Sequence, residues 1–183
     1  DPEQPAPLLV LLHGAGGSAE RVLARFGGLP DEFGMLVLVP ESRAPTWDVI
    51  VGGFGPDVAF IDTALKQVFA TCAVDPARVG IGGFSDGASY GLSLGLANGD
   101  LFSHILAFSP GFLAPSKPHG EPRLFISHGK QDRVLPIDMC SGILAPMLKN
   151  AGYDLTYRVF DGDHSVPEVT ARTAFRWFTG QSA

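Results

Sequence analysis

The chain has 183 residues, 45% hydrophobic and 17% charged, a balance that excludes a disordered segment. One domain (1–183) is expected, able to bury roughly 70% of its unfolded surface. The net charge of −6, without any basic cluster, argues against nucleic acid or an anionic membrane surface as partner.

Short apolar runs closed by turn residues recur along the chain. Leu8–Leu12 (LLVLL) ends at His13-Gly14, and Met35–Val39 (MLVLV) at Pro40. Val79–Phe84 ends at Ser85, Ile105–Phe108 at Ser109-Pro110-Gly111, Leu124–Ser127 at His128-Gly129, and Leu155–Phe160 at Asp161-Gly162. Runs of this length suit strands buried on both faces. Between them lie predicted helices. Residues 58–70 carry an apolar stripe at helical spacing, and the stretch from Asp86 stops at Asn98-Gly99. Ile137–Asn150 reads as a helix that Pro146 should kink or break. Pro167 suits the first turn of a last helix ending near Phe178. Strands alternating with helices imply an α/β fold, with a mostly parallel sheet of about six or seven strands and helices on both faces.

Every apolar run is far too short to span a bilayer, so no membrane insertion is expected. No secretory signal opens the chain, which favours a cytoplasmic location. Cys72 and Cys140 lack the close partners of a zinc site and are read as two buried, reduced thiols, with a single disulfide the alternative.

The stretch GFSDGASYGLSLG, residues 83–95, contains Gly-x-Ser-x-Gly three times, centred on Ser85, Ser89 and Ser93. The pattern marks a nucleophile only at a sharp strand-to-helix turn. Only Ser85 directly follows a strand-like run and precedes a helix. Ser89 and Ser93 fall one and two turns inside that helix, where their hydroxyls would bond back to a carbonyl. Gly87, Gly91 and Gly95 share one face of the helix, as close packing on a sheet would require.

A serine hydroxyl needs a base, and the base an orienting acid. In open α/β sheets such groups gather beyond the carboxyl ends of the strands. That rule selects His164 in DGDH as base and Asp132 in HGKQDRVLP as acid, in the chain order Ser85, Asp132, His164. Asp161 and Asp163 are rival acids, but they adjoin His164 in sequence and would reach its ring less easily. His13 ends a strand and is read as a loop support; His128, before a Gly at another strand end, is read as a structural hydrogen-bonder. His104 is expected at the start of a strand, and His119 in a Pro-rich loop. The oxyanion donors expected are the N–H groups of Asp86 and, in HGAGG, of Ala15, with Gly16 the rival. HGAGG is also consistent with a plain tight turn. A phosphate loop is disfavoured, because no Lys-Ser/Thr follows.

Taken together, LLHGAGG, GFSDGAS, FSPGF, HGKQDRVLP and DGDH resemble the phospholipase/carboxylesterase family of α/β-hydrolases, from Pro7 onward. The resemblance is closest to the family's small bacterial esterases. It implies a Ser-His-Asp acyl-enzyme mechanism on small carboxylic esters or thioesters, with no metal or cofactor and a small-molecule ester as partner. There are departures. Asp86 stands where the acyl-protein thioesterase branch often has Gln, and Ser85 where dienelactone hydrolases have Cys. The family's leading strand or hairpin is missing or reduced to Asp1–Pro7. The crossover Ser109–Pro122 is too short for a lid domain, which implies an open, shallow site suited to short acyl chains or accessible polymer ends. Trp47 is a candidate wall for the substrate, with a packing tryptophan the alternative, and Phe112 and Val134 lie on rim loops. A peptidase or amidase on the same fold, and a non-catalytic binding module, are the competing readings.

Overall fold

A computed structural model describes residues 4–181. Its centre is a six-stranded, wholly parallel sheet. The strands are β1 (Ala6–Leu12), β2 (Leu36–Leu38), β3 (Val74–Phe84), β4 (His104–Phe108), β5 (Arg123–Gly129) and β6 (Leu155–Phe160), in the spatial order β2-β1-β3-β4-β5-β6. The helices are α1 (Ala19–Phe26), α2 (Leu29–Glu32), α3 (Asp48–Val51), α4 (Pro56–Thr71), α5 (Asp86–Ala97), α6 (Ser141–Asn150) and α7 (Glu168–Thr179).

The continuous apolar runs follow from the two-faced burial of the sheet. Successive side chains of a strand point to opposite faces. Leu8, Val10 and Leu12 of β1, with Ile81, Ile105, Leu124 and Ile126, pack against Ile61 and Leu65 of α4, Leu92 of α5 and Leu144 of α6. Leu9 and Leu11, with Leu106, Phe108 and Phe125, pack against Val22 and Phe26 of α1, Leu29 of α2 and Phe175 and Phe178 of α7. Two apolar layers therefore sandwich the sheet, and every strand feeds its carboxyl end toward the same rim.

Several elements differ from the sequence reading. Strand β2 is only three residues long. Helices α1, α2 and α3 were not predicted, because they are short and offer few apolar positions: α1 buries Val22 and Phe26, one turn apart, and α3 buries nothing. The helix expected over 137–150 begins as a 3-10 turn at Ile137–Met139. It becomes α-helical at Ser141, and Pro146, on its exposed side, does not end it. Cys140 is buried, but Cys72 is exposed, since it caps the end of α4 beyond that helix's apolar stripe. Of the leading segment Asp1–Pro7, Ala6 and Pro7 belong to β1 and the first three residues lie outside the described range.

Candidate active site

The turn between β3 and α5 is sharp. Ser85 has φ 59° and ψ −120°, a left-handed conformation unfavourable for a residue with a side chain. Its neighbours fix it. Its N–H donates to Phe108 O of β4 at 3.0 Å, and its carbonyl accepts the N–H groups of Ala88 and Ser89 at 3.0 Å each. The flanking glycines are required by close approach. A Cβ on Gly83 would lie 2.6 Å from Leu12 O, and one on Gly87 would lie 2.4 Å from His13 O. The Ser85 side chain is thereby lifted to the rim at the end of β3.

Two further loops meet it there. Gln131 N–H donates to Gly162 O at 2.9 Å and Lys130 N–H to Phe160 O at 2.9 Å, so the loops after β5 and β6 are laced together. His164 Nδ1 lies 2.6 Å from Asp132 Oδ2, and His164 Nε2 lies 2.9 Å from Ser85 Oγ. The short, charge-assisted bond to the carboxylate fixes the proton on Nδ1 and leaves Nε2 to accept from the serine hydroxyl. The structure thus joins Ser85, His164 and Asp132, whose elements lie far apart in the chain, in one hydrogen-bonded run.

Asp132 is buried. Burial by itself would raise its carboxyl, but the bonds from the Leu135 N–H (2.8 Å), from His164 and from the Val134 N–H (2.9 Å) outweigh it. The carboxyl is held below its ordinary value. His128, fully buried, adds a contact from Nε2 at 3.1 Å to the same Asp132 Oδ2, while also bonding Leu135 O at 2.8 Å. The sequence reading of His128 as a structural hydrogen-bonder agrees with its bond to Leu135 O, but its contact with Asp132 was not foreseen. Neither rival acid is bonded to the ring: Asp161 pairs with Lys130 at 2.9 Å, and Asp163 borders a cavity with Arg133 and His164, while His164 Nδ1 is taken by Asp132.

Ser89 and Ser93 are both spoken for. Ser89 Oγ donates to Ser85 O at 3.3 Å and accepts the Gly111 N–H at 2.8 Å. Ser93 Oγ donates to Ser89 O at 2.7 Å and accepts the Ala114 N–H at 2.9 Å. These hydroxyls tie the crossover 109–122 onto α5, and that crossover contains no helix. Phe112, half-buried on it, donates its N–H weakly to Ser89 Oγ at 3.4 Å.

The loop after β1 approaches from the other side. His13 Nδ1 donates to Gly14 O at 2.7 Å and His13 Nε2 accepts the Ser42 N–H at 3.0 Å, so both ring nitrogens serve the loop. The Gly16 N–H is taken by Pro45 O at 2.7 Å and that of Gly17 by Gly14 O at 3.0 Å. The N–H groups of Ala15 and Asp86 have no partner among the described residues. That leaves Ala15, rather than Gly16, free to meet an oxyanion. The Asp86 carboxylate points away and accepts from Thr46 Oγ1 at 2.7 Å.

The expectation that Trp47 walls the substrate is corrected. Trp47 is wholly buried, its ring stacked 5.1 Å from Tyr90 and its Nε1–H donated to His13 O at 2.8 Å. It braces the loop from beneath. Val134 is 65% exposed and borders a cavity of about 570 Å³ together with Gln131, Arg133, Asp163 and His164. Phe84, which sequence reasoning passed over, packs its ring 4.6 Å from that of His164. No cluster of metal-ligating side chains occurs among the described residues. No helix among them is long and apolar enough to cross a membrane.

A parallel sheet with helices on both faces and this elbow after its third strand defines the α/β-hydrolase class. Esterase PE8, a solved structure, superposes with a TM-score of 0.76 over 98% of this chain and 94% of its own, at 24% identity, a likeness of fold. The sequence model of the phospholipase/carboxylesterase family matches residues 58–176, and the chain belongs to that family. A probable feruloyl esterase C of Aspergillus clavatus is 27% identical over 150 residues, 77% of this chain and 54% of the relative. Acyl-protein thioesterase 1 of Gibberella zeae is 30% identical over 104 residues, 51% of this chain and 44% of the relative. The chain spans about half the length of the curated relatives it matches.

Proposed function

We propose that this protein is a serine hydrolase of carboxylic esters. Ser85 Oγ attacks the ester carbonyl carbon as His164 Nε2 takes its proton. The oxyanion is held by the N–H groups of Ala15 and Asp86, each such donor being worth about 10²–10³ in turnover. The carbon–oxygen bond to the alcohol then breaks, and His164 returns the proton to the departing oxygen. Water, deprotonated by His164, cleaves the acyl-serine and restores the hydroxyl. Asp132 holds the imidazole in its reactive tautomer and balances the imidazolium charge.

The observation that supports this reading most is the run of bonds at 2.6 and 2.9 Å from Asp132 through His164 to Ser85. The short crossover, held down by Ser89 and Ser93, supports an open site taking short or otherwise accessible acyl groups; Val134 and Phe112 are the rim contacts proposed for the substrate. The family match and the esterase-named relatives support ester chemistry, and the thioesterase relative keeps thioesters within range.

The test is a chain-length series of p-nitrophenyl esters, with the matching anilide and thioester, on wild type and Ser85→Ala. The reading expects fastest turnover on short acyl esters, little on the anilide, and loss of at least about a thousandfold in Ser85→Ala. Anilide turnover matching the ester would favour an amidase. No turnover of any of the three by wild type would leave a non-catalytic module.

A further inference from the structure

Helix α1 carries two arginines one turn apart, Arg21 and Arg25, and both line one cavity of about 140 Å³. The cavity lies between α1 and the loop after β1; Gly14, Ala15 and Phe84 form its inner wall. It is large enough for several waters, or for a small polar group in their place. No carboxylate lines it. Two like charges at this helical spacing repel. Neither arginine makes an ion pair among the described residues, as is true also of Arg43, Arg133 and Arg158. Arg21 Nη1 reaches only Gly16 O at 3.3 Å. The guanidinium carbon of Arg25 sits 4.4 Å from the centre of the Phe84 ring. Burial lowers the pKa of Arg25 and no neighbouring carboxylate offsets it. Both arginines are exposed side chains; Arg25 also borders a second cavity with Glu32 and Glu168, whose carboxylates are taken by Arg172.

Neither Ser85 nor His164 lines the cavity; it neighbours them through Ala15 and Phe84. Ala15 offers an N–H proposed for the oxyanion. Phe84 immediately precedes Ser85 and packs on His164 at 4.6 Å. A planar carboxylate matches the fork of a guanidinium, which can grip both its oxygens.

We propose that this cavity is an anion subsite: Arg25, with Arg21 beside it, receives a carboxylate that the ester substrate carries a few bonds from its scissile carbonyl. The inference rests on the ester-hydrolase reading and adds a substrate class to it, acidic esters over neutral ones. The carboxylate can belong to the acyl half or to the alcohol half, and the test separates the two.

Two pairs of esters serve. Mono-4-nitrophenyl adipate is compared with its methyl ester, for the acyl half. 3-Acetoxybenzoate is compared with methyl 3-acetoxybenzoate, for the alcohol half. The quantity read is the ratio of kcat/KM, anionic over neutral, within each pair. In wild type one pair should give a ratio of about ten or more, which is about 1.4 kcal/mol of preference. The ratio should fall toward one in Arg25→Gln and, because the contact is partly exposed, as salt is raised. Arg158→Gln, the same charge change on edge strand β6, should leave it in place. Thermal midpoints of the three proteins check that the fold is intact. Wild-type ratios of one or less in both pairs would overturn the proposal, as would equal changes in Arg25→Gln and Arg158→Gln. Calorimetric titration with adipate and with 3-hydroxybenzoate decides the subsite without turnover. Binding by wild type that Arg25→Gln loses supports it, and binding unaffected by Arg25→Gln, or none, overturns it. Failure to cleave any of the four esters, with adipate or 3-hydroxybenzoate still bound, defeats the hydrolase reading alone.

Discussion

Replacing Ser89 by Ala should lower stability and spare chemistry, the reverse of Ser85→Ala. Ser89 is 1% exposed, and its Oγ is the acceptor for the Gly111 N–H at 2.8 Å. Without it that donor is stranded beneath the crossover, along with the weaker Phe112 N–H at 3.4 Å. Leaving a buried donor unsatisfied costs about 1–3 kcal/mol. For a chain of this size each kcal/mol moves Tm by about 2–4 °C, so a fall of about 2–12 °C is expected. Ser93→Ala should behave alike, since Ser93 is fully buried and its Oγ accepts the Ala114 N–H at 2.9 Å. Thermal unfolding by circular dichroism gives Tm, and p-nitrophenyl acetate hydrolysis below the transition gives turnover. Turnover of both variants should stay within a few-fold of wild type, while Ser85→Ala should keep its Tm and lose turnover. If Ser89→Ala kept its Tm but lost turnover a hundredfold or more, the choice among the three serines would be wrong.

His104 makes stability depend on pH. Burial, then the charges of Arg123 and Arg78, push its pKa from 6.5 down to about 4, against a small opposing effect of Asp154. Between those two values the unfolded chain binds a proton that the fold refuses. Stability should therefore fall as pH is lowered from about 6.5 to about 4, by roughly 3 kcal/mol, and then level off. Urea unfolding across that range should show this slope in wild type and lose it in His104→Gln; equal slopes would refute the assignment. The glycines of α5 should also separate. A Cβ at position 87 meets His13 O at 2.4 Å, whereas one at position 91 comes no nearer than 3.4 Å to Gly82. Gly87→Ala should disrupt the elbow and lower turnover about a hundredfold or more, whereas Gly91→Ala should keep activity and gain up to about 1 kcal/mol in helix propensity. Equal tolerance at both positions would contradict the packing described.

The strands were legible because a parallel strand covered on both faces must be apolar throughout, as in LLVLL and MLVLV. The meeting of Ser85, His164 and Asp132 was legible because each closes or follows such a run, and runs in one parallel sheet end on one rim. What escaped lacked that signature. Helix α1 buries only Val22 and Phe26, too few positions to show a helical stripe. The position of Trp47 depends on a stack against Tyr90 and a bond to His13 O, partners 43 and 34 residues away that no local pattern reveals. The contact of His128 with Asp132 and the cavity beside Arg25 likewise arise from loops meeting in space. The outward turn of Cys72 depended on where α4 stops.

Labelling with a fluorophosphonate, followed by peptide mass mapping, tests the central claim most directly. A serine activated by the bond from His164 should take up one phosphonate per chain, on the peptide bearing Ser85. Labelling should vanish in Ser85→Ala and slow sharply in His164→Ala. Native protein that stays unlabelled, or a label found on Ser89 or Ser93, would contradict it.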